Sequence, residues 1–140
     1  MIVADVNLLA YLHIPSPPLT SKALRAYRKD AAWFVPPLWR SEFRNILATY
    51  VRSKDLQFDA YDVAWAKRTI WSASDTIGRR VLPVDDDEVL EAAARYRITA
   101  YDAEYAVLAD LLGVHVVTTD RAFAASGHPR VVELDRFLEI

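Results

Sequence analysis

Short apolar runs alternate with longer stretches of helical spacing along the chain. The apolar runs predict β-strands at residues 2–4, 32–35, 81–84, 114–118 and 131–134. Helical spacing and capping signals predict helices at residues 6–12, 20–29, 38–54, 59–72, 85–96 and 99–112, with a helical turn at 121–125. No Asn-Gly or similar hairpin turn joins the strands. The pattern therefore predicts an α/β fold with a mostly parallel central sheet flanked by helices.

Length and composition indicate one folded domain over residues 1–140. The chain is 53% hydrophobic and 26% charged, which is typical of a globular protein rather than a disordered one. It contains no cysteine, which excludes disulfides, thiolate catalysis and Cys-ligated zinc, and favours a reducing compartment. The chain shows no signal-peptide pattern and no apolar run long enough to cross a membrane, so we expect a cytoplasmic protein with no membrane partner.

Missing motifs exclude several enzyme classes. The only glycines, Gly78, Gly113 and Gly127, cannot form a G-x-G-x-x-G turn or a P-loop. No serine lies in G-x-S-x-G, and the histidines form no H-E-x-x-H pair. These absences argue against dinucleotide enzymes, P-loop NTPases, serine hydrolases and zincins.

Charge is distributed unevenly along the chain. Up to Lys54 it has 8 basic and 3 acidic residues, and after Lys54 it has 9 basic and 16 acidic residues. A basic half can contact phosphates while an acidic half binds metal, but two differently solvated surfaces explain the asymmetry equally well.

Two aspartates follow predicted strands. Asp5 directly follows the first strand, and Asp120 lies just beyond the strand at residues 114–118, which places both at the carboxyl edge of a parallel sheet, where ligands gather. Each has an alternative role as the N-cap of the following helix.

Two further carboxylates are candidates for the same edge. Asp102 lies three residues after Thr99 at a predicted helix start, so a capping box is the alternative. Glu42 lies on the flank of an apolar helical stripe rather than opposite it. We interpret Glu104 as a solvent or helix-dipole charge, and the acidic run at residues 85–88 as a helix cap.

Four carboxylates close together repel one another unless a cation lies between them. An all-oxygen ligand set without cysteine or paired histidine favours Mg²⁺ or Mn²⁺ over zinc. A common use of such a cluster is metal-assisted hydrolysis of phosphodiesters.

The same residues resemble the motifs of PIN-domain nucleases, and more narrowly of VapC-type toxins from toxin–antitoxin pairs. The matching segments, in chain order, are Asp5-Val-Asn7, Ser41-Glu42-Phe-Arg-Asn45, Tyr101-Asp102-Ala-Glu-Tyr105 and Thr118-Thr-Asp120. The resemblance implies that Asp5, Glu42, Asp102 and Asp120 form the catalytic, metal-binding set, supported by Asn7 and Thr118. It also implies a PIN-like three-layer fold, an Mg²⁺- or Mn²⁺-dependent endoribonuclease, a homodimer and a cognate VapB-type antitoxin.

Arg40, Arg44 and Arg121 lie near these motifs in sequence and are candidate contacts for RNA phosphates, although surface arginines are common. The four tryptophans are interpreted as core residues rather than base-stacking platforms; they are Trp33, Trp39, Trp65 and Trp71.

Other protein classes explain the carboxylates less well. A receiver domain needs a lysine after a late strand, but the only lysine after position 55 is Lys67. A haloacid-dehalogenase-type phosphatase needs an aspartate where this chain has Asn7. Two alternatives remain open: an RNA-processing nuclease without an antitoxin, and a catalytically silent RNA- or protein-binding module with the same fold.

Overall fold

The computed structural model describes residues 1–53 and 61–140. Their strands form one four-stranded sheet in the order β2-β1-β3-β4, and every pairing is parallel. The strands are β1 (Ile2–Ala4), β2 (Trp33–Phe34), β3 (Val116–Thr118) and β4 (Val131–Glu133). This sheet confirms the predicted α/β class with a parallel sheet and flanking helices.

Eight helices surround the sheet in the described part of the chain. They are α1 (Val6–His13), α2 (Leu19–Lys29), α3 (Trp39–Arg52), α4 (Val63–Ile77), α5 (Asp86–Tyr96), α6 (Ala100–Leu112), α7 (Arg121–Ala124) and α8 (Leu134–Glu139). α6 packs against β1 and β3, α4 packs against β2, and α8 packs against β3 and β4. The arrangement is that of a three-layer fold.

Several predicted boundaries were wrong. Residues 81–84 form no strand, because only Val81 makes an isolated parallel bridge, to Val35. The last strand stops at Glu133, and the unpredicted α8 follows it at once. α2 begins at Leu19 without the expected side-chain cap from Thr20 or Ser21. α4 continues to Ile77, beyond the predicted end, and the predicted start of this helix at residue 59 lies outside the described residues.

The predicted ends of α5 and α6 are confirmed. Asp85 caps α5 through its Oδ1, which accepts hydrogen bonds from the backbone N–H groups of Asp87 and Glu88. α6 ends at Gly113, whose φ of 68° is the left-handed conformation that glycine adopts without strain. These caps fix where α5 starts and where α6 stops.

The order of the strands explains where a site can form. The chain leaves β1 toward β2 on one side and later returns to β3 on the other side. Crossovers therefore diverge at the carboxyl end of β1, the position where ligands bind in parallel sheets of this kind. Asp5 directly follows β1, and Asp120 lies two residues beyond β3.

The tryptophan prediction holds only in part. Trp33 and Trp39 are buried and Trp65 packs partly buried against the core, but Trp71 is 70% exposed on α4. Ala64, on the same helix, is exposed as well. None of the described helices is both long enough and apolar enough to traverse a lipid bilayer.

Candidate active site

Asp5 is the most deeply buried carboxylate of the candidate set. It is 5% exposed, and its backbone N–H donates to the carbonyl of Val117 on β3. Asp5 occupies the N-cap position of α1, but its carboxylate makes no capping hydrogen bond, so the side-chain capping alternative is wrong for this residue. The pKa of Asp5 is raised to about 6, and burial is the main cause. A hydrogen bond from Thr118 opposes the rise, and the charges of Glu42 and Asp102 add to it.

Thr118 connects Asp5 to Asp120. Its Oγ1 donates to Asp5 Oδ2 at 2.5 Å and accepts from the backbone N–H of Asp120 at 2.9 Å. Asp120 does cap its helix, since its Oδ1 accepts from the N–H of Phe123 at 3.0 Å. One hydroxyl thus links the ends of two neighbouring strands.

Asp102 lies in the first turn of α6. Thr99 caps this helix through its Oγ1, which accepts from the N–H of Asp102 at 3.0 Å, as the capping alternative expected. The cap uses the backbone of Asp102. Burial raises the pKa of the Asp102 carboxyl. A hydrogen bond with the Thr99 side chain opposes the rise, and the charge of Asp120 adds to it.

Glu42 approaches the same region from the first turn of α3. It is half-buried, and its Oε1 accepts a hydrogen bond of 2.7 Å from the hydroxyl of Tyr105 on α6. Burial raises the pKa of Glu42, the Tyr105 hydrogen bond lowers it, and the charges of Asp102 and Glu104 raise it. Tyr105 lies in one of the sequence motifs, but no local spacing relates it to Glu42.

Glu104, interpreted from the sequence as a solvent or helix-dipole charge, is not freely solvated. It is half-buried, and burial together with the charge of Asp86 raises its pKa. Its position relative to Asp102 on one helix gave no information about α3 and α5, which bring Glu42 and Asp86 toward it. Glu104 therefore belongs to the electrostatic surroundings of Glu42.

The four candidate carboxylates come from four separate segments of the chain, yet each lies close enough to at least one other for their charges to interact. In residues 1–53 and 61–140, no lysine, arginine or histidine forms an ion pair with any of them. Among these residues, no three acidic or histidine side chains already stand close enough together to hold a metal ion. The uncompensated charge and the oxygen-only donors nevertheless fit a hard divalent cation such as Mg²⁺ or Mn²⁺.

The supporting residues and candidate arginines have varied surroundings. Asn7 is half-buried in the first turn of α1, two residues after Asp5. Arg40 lies over the ring of Trp39 at 4.9 Å, and Arg44 donates to Ser41 Oγ at 3.1 Å. Both arginines are exposed on α3.

Arg121 is the candidate arginine nearest in sequence to a proposed ligand, directly after Asp120. Its side chain is 91% exposed and lies 3.8 Å from Glu133. This weak pairing leaves its guanidinium accessible to solvent.

Comparison with known proteins identifies the family. The PIN domain family model matches residues 2–128. The chain belongs to the PIN domain family. PIN domains are generally nucleases, and the candidate carboxylates at the carboxyl end of β1 and around it lie within the matched residues.

Solved structures share the fold of this PIN domain. PAE2754 from Pyrobaculum aerophilum is 24% identical with a TM-score of 0.73, covering 99% of this chain and 86% of that one. FitAcB from Neisseria gonorrhoeae is 19% identical with a TM-score of 0.69, covering 96% and 98%. FitAB bound to an IR36 DNA fragment is 19% identical with a TM-score of 0.67, covering 96% and 95%. A search of curated proteins finds no match.

Proposed function

We propose that this PIN-domain protein is an Mg²⁺- or Mn²⁺-dependent endoribonuclease whose metal-binding residues are Asp5, Glu42, Asp102 and Asp120. The observation that carries the proposal is their mutual electrostatic coupling without a paired cationic side chain in the described residues. Asp120 is exposed, but burying the charge of Asp5 and half-burying those of Glu42 and Asp102 is costly unless a cation neutralises them in the working protein. A bound divalent cation supplies charge stabilisation at the phosphate and a more acidic water for hydrolysis.

The protein's own side chains give this site its shape. Thr118 orients the Asp5 carboxylate and the Asp120 backbone, and Asp120 is further held by its cap to α7. Thr99 fixes the first turn of α6 and hence the position of Asp102. Such outer contacts set the geometry of metal ligands and tune their affinity.

Exposed arginines on α3 and α7 are proposed to bind the RNA backbone. Arg40, Arg44 and Arg121 are exposed, and phosphate contacts of this kind position a nucleic acid without reading its sequence. Their charges offset the acidic site, which alone repels a polyanion.

The proposed biological role is that of a VapC-type toxin, which forms a homodimer and is held by a VapB-type antitoxin. The sequence motifs support this role, and so does the fold shared with FitAB, which was solved on a DNA fragment. The gene neighbourhood tests it: a small adjacent reading frame encoding a DNA-binding protein is expected for a toxin. Its absence favours an RNA-processing nuclease.

Cleavage of a structured-RNA pool tests the catalytic proposal. Wild-type protein with Mg²⁺ or Mn²⁺ is compared with an EDTA control and with Asp5→Asn, purified in the same way. Asp75→Asn is the matched control because Asp75 is an exposed aspartate on α4. A DNA duplex of the same length tests whether RNA is preferred.

We expect metal-dependent RNA cleavage by the wild type and by Asp75→Asn, and none by Asp5→Asn. Equal cleavage by Asp5→Asn points to a contaminating nuclease. If no preparation cleaves, titration with Mn²⁺ decides between an unsuitable substrate and a silent binding module: binding supports the former, and its absence overturns the metal site.

A further inference from the structure

Tyr105 links two of the elements that carry candidate ligands. It lies on α6 three residues after Asp102, so both side chains lie on nearby parts of the helix surface. The residue is 1% exposed. Its hydroxyl donates a hydrogen bond of 2.7 Å to Oε1 of Glu42, which lies on α3, 63 positions away in sequence. The bond therefore ties α3 to α6 at the acidic site.

A neutral hydroxyl is a particular kind of partner for a carboxylate. A lysine or arginine in its place would hold Glu42 equally well but would cancel the negative charge that a cation needs. The tyrosine hydroxyl occupies one oxygen and leaves the other oxygen of Glu42 available as a ligand. A glutamate has three rotatable side-chain bonds, so anchoring one oxygen also reduces the entropy lost when the other binds a metal.

We infer that Tyr105 is a positioning residue that orients Glu42 for divalent-cation binding. The inference rests on the proposed function, because it needs Glu42 to be a metal ligand. A purely structural tyrosine would fill the core with its ring, and its hydroxyl would have no influence on metal affinity.

Mn²⁺ affinity of the purified protein tests the inference independently of cleavage. Binding is followed by loss of the electron paramagnetic resonance signal of free Mn²⁺. Tyr105→Phe removes only the hydroxyl, and we expect roughly tenfold weaker Mn²⁺ binding, as is typical for loss of a contact to a metal ligand. Tyr27→Phe is the matched control, because Tyr27 is a partly buried tyrosine on α2 that packs edge-on against Trp33.

A double-mutant cycle separates action through Glu42 from a general loss of packing. In a Glu42→Ala background, adding Tyr105→Phe is expected to leave Mn²⁺ affinity unchanged, since the hydroxyl no longer has a ligand to hold. A further loss in that background would overturn the inference, even if Tyr105→Phe alone binds weakly. Wild-type Mn²⁺ affinity in the Tyr105→Phe variant would also overturn the inference.

The wild-type titration keeps the two hypotheses apart. If wild-type protein binds no Mn²⁺, the proposed metal site itself is wrong and the inference falls with it. If the wild type binds and Tyr105→Phe binds equally well, only the role of Tyr105 is wrong. Thermal melts of the metal-free proteins accompany each titration, and we expect Tyr105→Phe and Tyr27→Phe to melt within a few degrees of each other.

Discussion

The Thr118 hydroxyl donates to the buried carboxylate of Asp5 at 2.5 Å, although the two residues are 113 positions apart in sequence. The pairing follows from the neighbouring positions of β1 and β3, whose ends carry Asp5 and Thr118. Thr118 is itself fully buried, and its oxygen also accepts from the backbone of Asp120. A single hydroxyl thus satisfies polar groups on both strand ends.

Replacing Thr118 with valine tests this link. The substitution keeps the shape of the side chain but leaves the Asp5 carboxylate and the Asp120 N–H without their partner. We expect the free energy of unfolding at pH 8 to fall by about 1–3 kcal/mol, the typical cost of unsatisfied buried groups. Urea denaturation measures the change.

Thr69→Val is the matched control for this experiment. Thr69 is also buried, but its hydroxyl donates only to the carbonyl of Trp65 within α4. Removal of such a bond within a helix is expected to have a small effect. Equal losses for the two variants would contradict the special role of Thr118.

The metal-free protein is expected to lose stability as pH rises through the titration of Asp5. The pKa is about 6 in the folded protein and 3.8 without burial, so the folded state binds more protons between these values. Its free energy of unfolding therefore falls from about pH 4 to pH 6 and then levels off, by at most about 3 kcal/mol from this group. Urea melts in EDTA across this range measure the slope.

Asp5→Asn is the comparison for the pH series. The amide carries no charge, so the slope is expected to flatten, and the metal-free variant should be at least as stable as the wild type at pH 8. A large loss of stability in metal-free Asp5→Asn would instead show that Asp5 is chiefly structural. Mn²⁺ affinity of the wild type should change in the opposite direction and increase with pH, because ligands must be deprotonated.

Asp85 is expected to affect stability without affecting the site. Asp85→Ala removes the acceptor for two N–H groups at the start of α5, and we expect a loss of about 1 kcal/mol in the free energy of unfolding. Glu91→Ala, at an exposed position further along α5, is the control and should cost less. Metal-dependent cleavage should be unchanged in both variants, and a selective loss in Asp85→Ala would extend the functional site to α5.

Arg121 is expected to affect RNA binding without affecting stability. Its exposed pairing with Glu133 contributes little, so Arg121→Gln should change the free energy of unfolding by less than about 0.5 kcal/mol. RNA affinity should fall, and the slope of its salt dependence should decrease by about one, as expected for one lost phosphate contact. Arg79→Gln, at another exposed arginine, is the control, and equal effects of both would indicate nonspecific attraction only.

Local patterns determined most of the secondary structure. The apolar run at residues 2–4, the cap at Asp85 and the left-handed Gly113 each act through neighbours in sequence, so each could be predicted and each is found. The same is true of the fold class, because helices between short strands leave few arrangements other than a parallel sheet. The motifs around Asp5, Glu42, Asp102 and Asp120 also indicated the PIN domain family, whose model matches residues 2–128.

Contacts between distant segments decided the rest. Residues 81–84 were apolar enough for a strand, but only Val81 makes an isolated bridge, to Val35. α8 follows β4 where the pattern indicated no helix. The exposure of Trp71 could not be predicted, because helical spacing does not show which face of α4 meets the core. The hydrogen bond from Tyr105 to Glu42 and the burial of Glu104 depend on how α3, α5 and α6 pack, and packing brings together residues that no local spacing relates.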